Sequence, residues 1–492
     1  MRGQRNQLLA LFLGALVIRV SLLAFGPWID PQRAMHPDSP RYLELAHNLR
    51  EHSRFAVGPE RVLSIKAVAE VRQANGTLPA ADEHGLRPDS YRTPGYPAFL
   101  AAVFAFFDNV RTVLVIQCVL GSLLALGAFT VARAFGLPDR AALLIGAVWA
   151  FHPALVVFDV YLMSETLFNS CMTLALVLLA ARPVSPTTAS ASGLVLGFGT
   201  LVRPMGLLYL PPALVLLWLR KKGTPRLPAA ALLVATAVIP PAAWAARNYA
   251  GGEGLRVSSI VEQQLLFRSG AYVLSEERGQ VGVPDWPTRA AELKTLLLAS
   301  VEPGDDVYAA SRTLGLHMML DRPVEAIRIH VRSLARLVLS HSMKDLFEVV
   351  GSRYPETGLF SRFAMGESSQ SRISSVPALT AAIAWTAINM AIATLALIGA
   401  VVAVMRRNWW LLLAWGAPVV LFAISAGPVG SERLRLPMML PMFMLATSAL
   451  LDRVWITGPW NARARREIPA VSPPVPVIRE KEDDESTRLV CQ

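Results

Sequence analysis

Apolar residues in this chain gather into long runs separated by short polar stretches. The runs fall at roughly 8 to 26, 113 to 134, 141 to 158, 165 to 181, 189 to 219, 227 to 246, 378 to 405, 409 to 426 and 436 to 452. At 1.5 Å per residue, runs of this length predict helices that cross a bilayer. A further run, 95 to 107, is too short to cross. Two longer polar segments interrupt the pattern, 27 to 112 and 247 to 377. The first opens with HPDSPRYLELAHNL (36 to 49) and closes with YRTPGYPAFL (91 to 100). Asp38, Ser39 and Pro40 read as a helix start, with a short polar cap and a proline in the first turn. Tyr42, Leu45, Ala46 and Leu49 then recur on one face, so the helix is amphipathic and is expected to lie along a membrane surface with Asp38 at the water boundary.

The basic residues orient the runs. If 95 to 107 does not cross and 189 to 219 is two short spans meeting at Arg203 and Pro204, the clusters Arg2/Arg5, Arg133/Arg140, Arg182, Arg220/Lys221/Lys222/Arg226, Arg406/Arg407 and Arg453/Arg463/Arg465/Arg466 share one side. The positive-inside rule makes that side the cytoplasm, giving about ten spans with both termini inside. The expected fold is an all-α polytopic membrane protein, with interfacial helices in its first outer loop and a small, mainly helical outer region. Its parts are a first, uncleaved span (1–26), an outer loop (27–112), spans (113–246), a second outer region (247–377), spans (378–452) and a disordered cytoplasmic tail (453–492). Within the second outer region, helices are expected near 287 to 300, 304 to 320 and 323 to 343. The last carries Arg328, Arg332 and Arg336 four apart beside apolar residues, the pattern of a helix resting on lipid with arginines at headgroup level.

Composition changes the picture only by exclusion. Of 492 residues, 53% are hydrophobic and 17% charged, too apolar for an ordinary soluble enzyme. The net charge of +11 flanks apolar runs and sets orientation, so no nucleic-acid partner is implied. Cys118 and Cys171 fall inside spans and Cys491 in the tail, so there is no disulfide framework. The glycines of GLVLGFG (193 to 199) lie inside an apolar run with no strand before them. They predict close helix packing and not a phosphate-cradling loop. An activated group must therefore reach the outer face already attached to lipid.

Taken in order, DSPRYLELAHNL, YRTPGYPAFLA, FHPALVVFDVYLMSETLF (151 to 168), LGFGTLVRPMG (196 to 206), PPAAWAARNY (240 to 249) and SERLRLPMMLP (431 to 441) resemble the bacterial GT-C glycosyltransferases. The likeness is to glycosyltransferase family 39, the protein-mannosyltransferase-like group, and more distantly to the lipid A aminoarabinose transferase. It runs from about residue 8 to 452 and is weakest over 250 to 377. The resemblance implies an enzyme of the inner (plasma) membrane with its active site on the outer, periplasmic face. Such an enzyme moves a sugar from a polyprenyl-phosphate carrier to an acceptor hydroxyl, with inversion in one displacement. The hydroxyl needs a base, while the phosphate leaving group needs cations and no acid.

On that pattern Asp38 matches the first-loop acid and is the expected base; the alternative is a plain N-cap. Glu165 matches the second outer-face acid, to orient the acceptor or an arginine, with Asp159 as a weaker candidate. Arg203, beside proline at a break in an apolar run, is expected to bind the lipid phosphate through its planar fork. Arg433 and Arg435 fit the same role or a pair with Glu432. Arg247 and Arg92 are further headgroup candidates, with structural anchoring as their alternative, and Tyr42 joins the substrate-binding set. His36 and His47 match no metal-site spacing, so neither a metal nor another cofactor is expected, the lipid-linked sugar being substrate. The partners implied are the sugar donor, an acceptor that is a protein, lipid or glycan, and membrane lipids. Two rival classes are a transporter or flippase of lipid-linked sugars and a non-catalytic scaffold. Clustering of the acids on one face favours the enzyme over the inverted repeats and midplane charges of a transporter.

Overall fold

A computed structural model describes residues 2–59, 63–180, 184–219, 226–352 and 376–450. The tail from Arg453, Arg182 and the basic stretch 220–222 lie outside the described residues. The chain is an α-helical membrane protein. Helices Gly3–Phe25, Val110–Ala134, Arg226–Ala250 and Leu379–Met405 are long and apolar enough to cross a bilayer, and shorter apolar helices include Gly95–Phe104, Glu165–Ala180, Pro204–Leu219 and Trp409–Ser425. Strand among the described residues is one antiparallel pair, Ala56–Val57 with Arg87–Pro88.

Prolines cut the apolar runs where the sequence places them. Helix Pro186–Val202 stops at Arg203, whose backbone is extended at φ −145° and ψ 130°, and the chain continues as a 3-10 turn, Pro204–Tyr209. Proline disfavours the helical conformation in the residue before it, and His152, before Pro153, is extended at φ −67° and ψ 122°. The glycines of GLVLGFG do serve packing. A Cβ on Gly193 would sit 2.3 Å from the Leu233 carbonyl oxygen, and one on Gly197 2.7 Å from that of Ala237, both on helix Arg226–Ala250.

Helix Ser39–His52 forms as expected but buries its apolar face in protein and not in lipid. Tyr42, Leu45 and Ala46 are enclosed, and the Tyr42 ring meets that of Tyr96, on helix Gly95–Phe104, edge-on at 5.0 Å. The short apolar run is thus the floor under the loop 27–112. Helix Leu63–Asn75 leaves that loop to join a second apolar core: Val68 and Val71 pack with Leu266, Phe267, Leu293, Leu297 and Tyr308. Three helices of the segment 247–377 form close to their expected positions, Trp286–Ala299, Val307–Leu320 and Pro323–Leu339. On the last, Arg328 and Arg332 are not free for headgroups: both pair with Glu276, at 3.1 and 2.5 Å. Ile327, Val331 and Leu334 beside them are exposed.

Candidate active site

The candidate site begins with the turn 89–93, which closes the loop 27–112. Asp89 accepts the Tyr91 backbone N–H at 2.6 Å, and the Thr93 hydroxyl donates to the Val202 carbonyl at 3.1 Å. Gly95 lets the two backbones touch, since a Cβ there would lie 2.6 Å from the Val202 nitrogen. The turn bearing Arg92 is therefore fastened to the helix break bearing Arg203. The Arg92 guanidinium lies between the rings of Tyr42 and Tyr91, 5.0 Å from each centroid, where the ring faces favour a cation.

Asp38 meets this arginine. Its Oδ1 accepts from Arg92 Nη2 at 2.5 Å, and its Oδ2 pairs with Arg433 Nη1 at 2.6 Å. Arg433 also donates through Nε to Glu165 Oε1, and Glu165 Oε1 pairs with Arg203 Nη1 at 2.6 Å. The charges alternate along one chain of contacts: Arg92, Asp38, Arg433, Glu165, Arg203. Three guanidiniums against two carboxylates leave a surplus of one positive charge. Glu165 Oε2 and Arg92 Nε are buried without a hydrogen-bond partner. The cluster therefore has one uncompensated cation and unused polar atoms, which is a site for an anion that also brings a hydrogen-bond donor.

The expected cap role of Asp38 fails. Its backbone is already helical, φ −87° and ψ −19°, and its side chain makes no capping bond, because both carboxylate oxygens are taken by arginines. Burial alone would push this carboxyl up; the adjacent Arg92 and Arg433 outweigh that and hold it well below the usual carboxylate range.

Tyr42 stands in the first circle around the cluster, its hydroxyl 3.5 Å from Arg92 Nη1 and 3.4 Å from the Ser164 hydroxyl. Two predicted binding residues lie elsewhere. Arg435 turns away from the cluster and donates to the carbonyls of Leu337 at 2.8 Å, Val338 at 3.1 Å and Ser340 at 3.2 Å. It closes the C-terminal end of helix Pro323–Leu339, whose C-cap is Ser340 and where the orphan carbonyls draw a cation. Arg247 donates to the Phe55 carbonyl at 3.0 Å and lies over the Trp244 ring at 4.7 Å, the structural anchor and not a site contact. Asp159 is also committed elsewhere, to Arg19 at 2.6 Å and to the Thr166 hydroxyl at 2.5 Å. Glu432 pairs with neither neighbouring arginine in a direct ion pair; it hydrogen-bonds Asp345, which burial and this contact push up.

The Arg19–Asp159 pair escaped the sequence reading. Its signal was available, an arginine set inside the first apolar run, which a bilayer tolerates only with a partner. The pair is wholly enclosed and ties helix Arg2–Phe25 to the chain just before Glu165. Comparison of the chain with family models, characterised proteins and solved structures finds no match. The class that fold and site define is a helical membrane protein with a buried cluster of alternating carboxylates and guanidiniums.

Proposed function

We propose that this chain is an integral membrane glycosyltransferase. It takes a sugar from a polyprenyl-phosphate carrier and joins it, with inversion, to an acceptor hydroxyl on the outer face of the plasma membrane. The observation that carries the reading is the charge-alternating cluster in which Arg433 spans Asp38 and Glu165. A sugar ester of a lipid phosphate is a phosphodiester with one negative charge, which matches the single surplus cation. Its phosphate oxygens offer Arg433 and Arg203 a bidentate alternative to the carboxylates. As the donor enters, Asp38 loses one of its two guanidinium partners and regains basicity. The acceptor hydroxyl then attacks the anomeric carbon, its proton passing to Asp38, and the C–O bond to phosphate breaks with the arginines compensating the growing charge.

Depth supports the same reading. The helix Val376–Met405 is followed by Arg406 and Arg407, and counting about 20 residues back from them, the thickness of the hydrocarbon, reaches the neighbourhood of Thr386. Thr386 and Asn389 donate to the carbonyls of Leu339 at 3.2 Å and Ser340 at 2.8 Å, and Ser340 also receives Arg435. Arg433, two residues away, then lies at headgroup level, where a lipid phosphate resides. With the basic loops inside, as the positive-inside rule expects, that level is the outer one.

A panel of polyprenyl-phosphate sugars and candidate acceptors, incubated with the purified protein, tests the reading. Transfer is expected with at least one pair. Arg203→Ala should weaken use of the lipid donor strongly, raising its KM by about tenfold or more, and Arg203→Lys should recover only part, since lysine keeps the charge and loses the fork. Wild-type donor kinetics in Arg203→Ala would remove the phosphate role from that residue, and no transfer with any pair would remove the enzyme.

A further inference from the structure

Transfer in one displacement requires the base and the leaving phosphate to stand a fixed distance apart, with Asp38 at the acceptor hydroxyl and Glu165 among the arginines that take the phosphate. We infer that Gln117 is the positioning residue that sets the spacing of these two acids; the inference rests on the glycosyltransferase reading. Gln117 sits in helix Val110–Ala134, one of the long apolar helices, and its side chain is wholly buried. An amide so placed needs protein partners for its polar atoms. It has them all: Nε2 donates to the carbonyls of Asp159 at 3.2 Å and Tyr161 at 2.7 Å, and Oε1 accepts the Tyr96 hydroxyl at 2.7 Å.

Each of these bonds leads to one of the two acids. The carbonyls belong to the segment 159–164, which runs directly into Glu165 at the head of helix Glu165–Ala180. Four residues after Gln117, and so on the same helix face, Gly121 leaves room for the Asp159 carboxylate, which a Cβ there would overlap. That carboxylate accepts the hydroxyl of Thr166, the neighbour of Glu165, at 2.5 Å. On the other side, the Tyr96 ring meets that of Tyr42, four residues after Asp38, edge-on at 5.0 Å. The Leu162 carbonyl, one residue past Tyr161, accepts the hydroxyl of Ser39, the residue next to Asp38, at 2.8 Å. The circuit closes where the Tyr42 and Ser164 hydroxyls lie 3.4 Å apart. Gln117 thus grips main chain and ring, not guanidinium, and its hold persists when the donor draws Arg433 away from Asp38.

The test is a double-mutant cycle on single-turnover transfer in the full-length protein, with saturating polyprenyl-phosphate sugar. Gln117→Met keeps the length of the side chain and removes the amide; transfer should fall by about ten- to a hundredfold, with the donor KM within about twofold of wild type. In Asp38→Asn, where no base remains to be placed, the same substitution should cost less than about twofold, because residues that act through one group are not additive. A merely structural role would cut both backgrounds by the same factor. That result overturns the inference, as does wild-type transfer in Gln117→Met, and the glycosyltransferase stands in either case. Tyr96→Phe breaks only the phenol bond to Gln117 and should give a smaller fall that also vanishes in Asp38→Asn. If Gln117→Met does not fold, the Tyr96→Phe cycle decides by the same criterion. A wild-type protein inactive with every donor takes both readings down together.

Discussion

Each charged side chain of the cluster is defined by what it can no longer do elsewhere. Asp38 has surrendered its capping bond, so a change at this position acts through the arginines. Asp38→Asn preserves size but removes the negative charge and the proton-accepting oxygen; transfer should fall by about two to four powers of ten, with donor binding little changed. Near-normal transfer in well-folded Asp38→Asn would pass the base role to Glu165. Stability carries a second signature. The folded carboxyl lies below its usual range, so the ion pairs stabilise the fold above the unfolded carboxylate pKa, about 3.9, and that contribution is lost as pH falls through the folded value. The melting difference between wild type and Asp38→Asn should accordingly be full at neutral pH and begin to narrow only below about pH 4. A difference that vanished already at pH 6 would contradict the pairing.

Among the elements, the short turn Glu432–Arg435 decides which arginine serves the site. Two residues along a helix is about 200° around it, so Arg433 and Arg435 cannot face the same way; one bridges the acids and the other caps a neighbouring helix. Arg435→Ala should therefore lower the melting temperature, freeing three carbonyls, and Arg433→Ala should abolish transfer by uncoupling both acids. Equal loss of stability with unchanged donor use in Arg433→Ala would reverse that division. The helix pair joined through Gly193 and Gly197 offers a contrast, since nothing charged is involved. Gly197→Ile must push its Cβ into the Ala237 carbonyl, and overpacking of this kind costs about 1–3 kcal/mol. Thermal unfolding in detergent should register it as a lower midpoint, with pH dependence unchanged.

For the molecule as a whole the decisive quantity is sidedness. The cluster can meet a lipid-linked sugar outside the cell only if the first outer loop and the basic loops lie on opposite faces. A single cysteine at Gln73, exposed on helix Leu63–Asn75, should react with an impermeant thiol reagent added to intact cells, and one at Arg140, exposed at the start of helix Asp139–Phe151, should react only after permeabilisation. Labelling of the Arg140 site in intact cells would invert the topology and remove the catalytic assignment with it.

Much of this was legible in the residues alone, for reasons of scarcity. Charged side chains are rare inside apolar stretches, so Arg203 within one, and Glu165 and Arg433 at or just before the heads of others, could be singled out before any fold, as could Asp38 beside a proline at a helix start; the roles given them came from the resemblance. Proline and glycine act locally through backbone geometry, which is why the break at Arg203 and the close helix pair at Gly193 fell where the sequence placed them. What periodicity does not carry is direction. An amphipathic face declares that it will be buried but not whether lipid or protein covers it, and so helix Ser39–His52 turned to Tyr96. Nor do residues declare partners across long separations. That Arg433 reaches both Asp38 and Glu165 and that Arg19 belongs to Asp159 were decided only by the tertiary structure, because an ion pair depends on positions in space that helix packing alone sets.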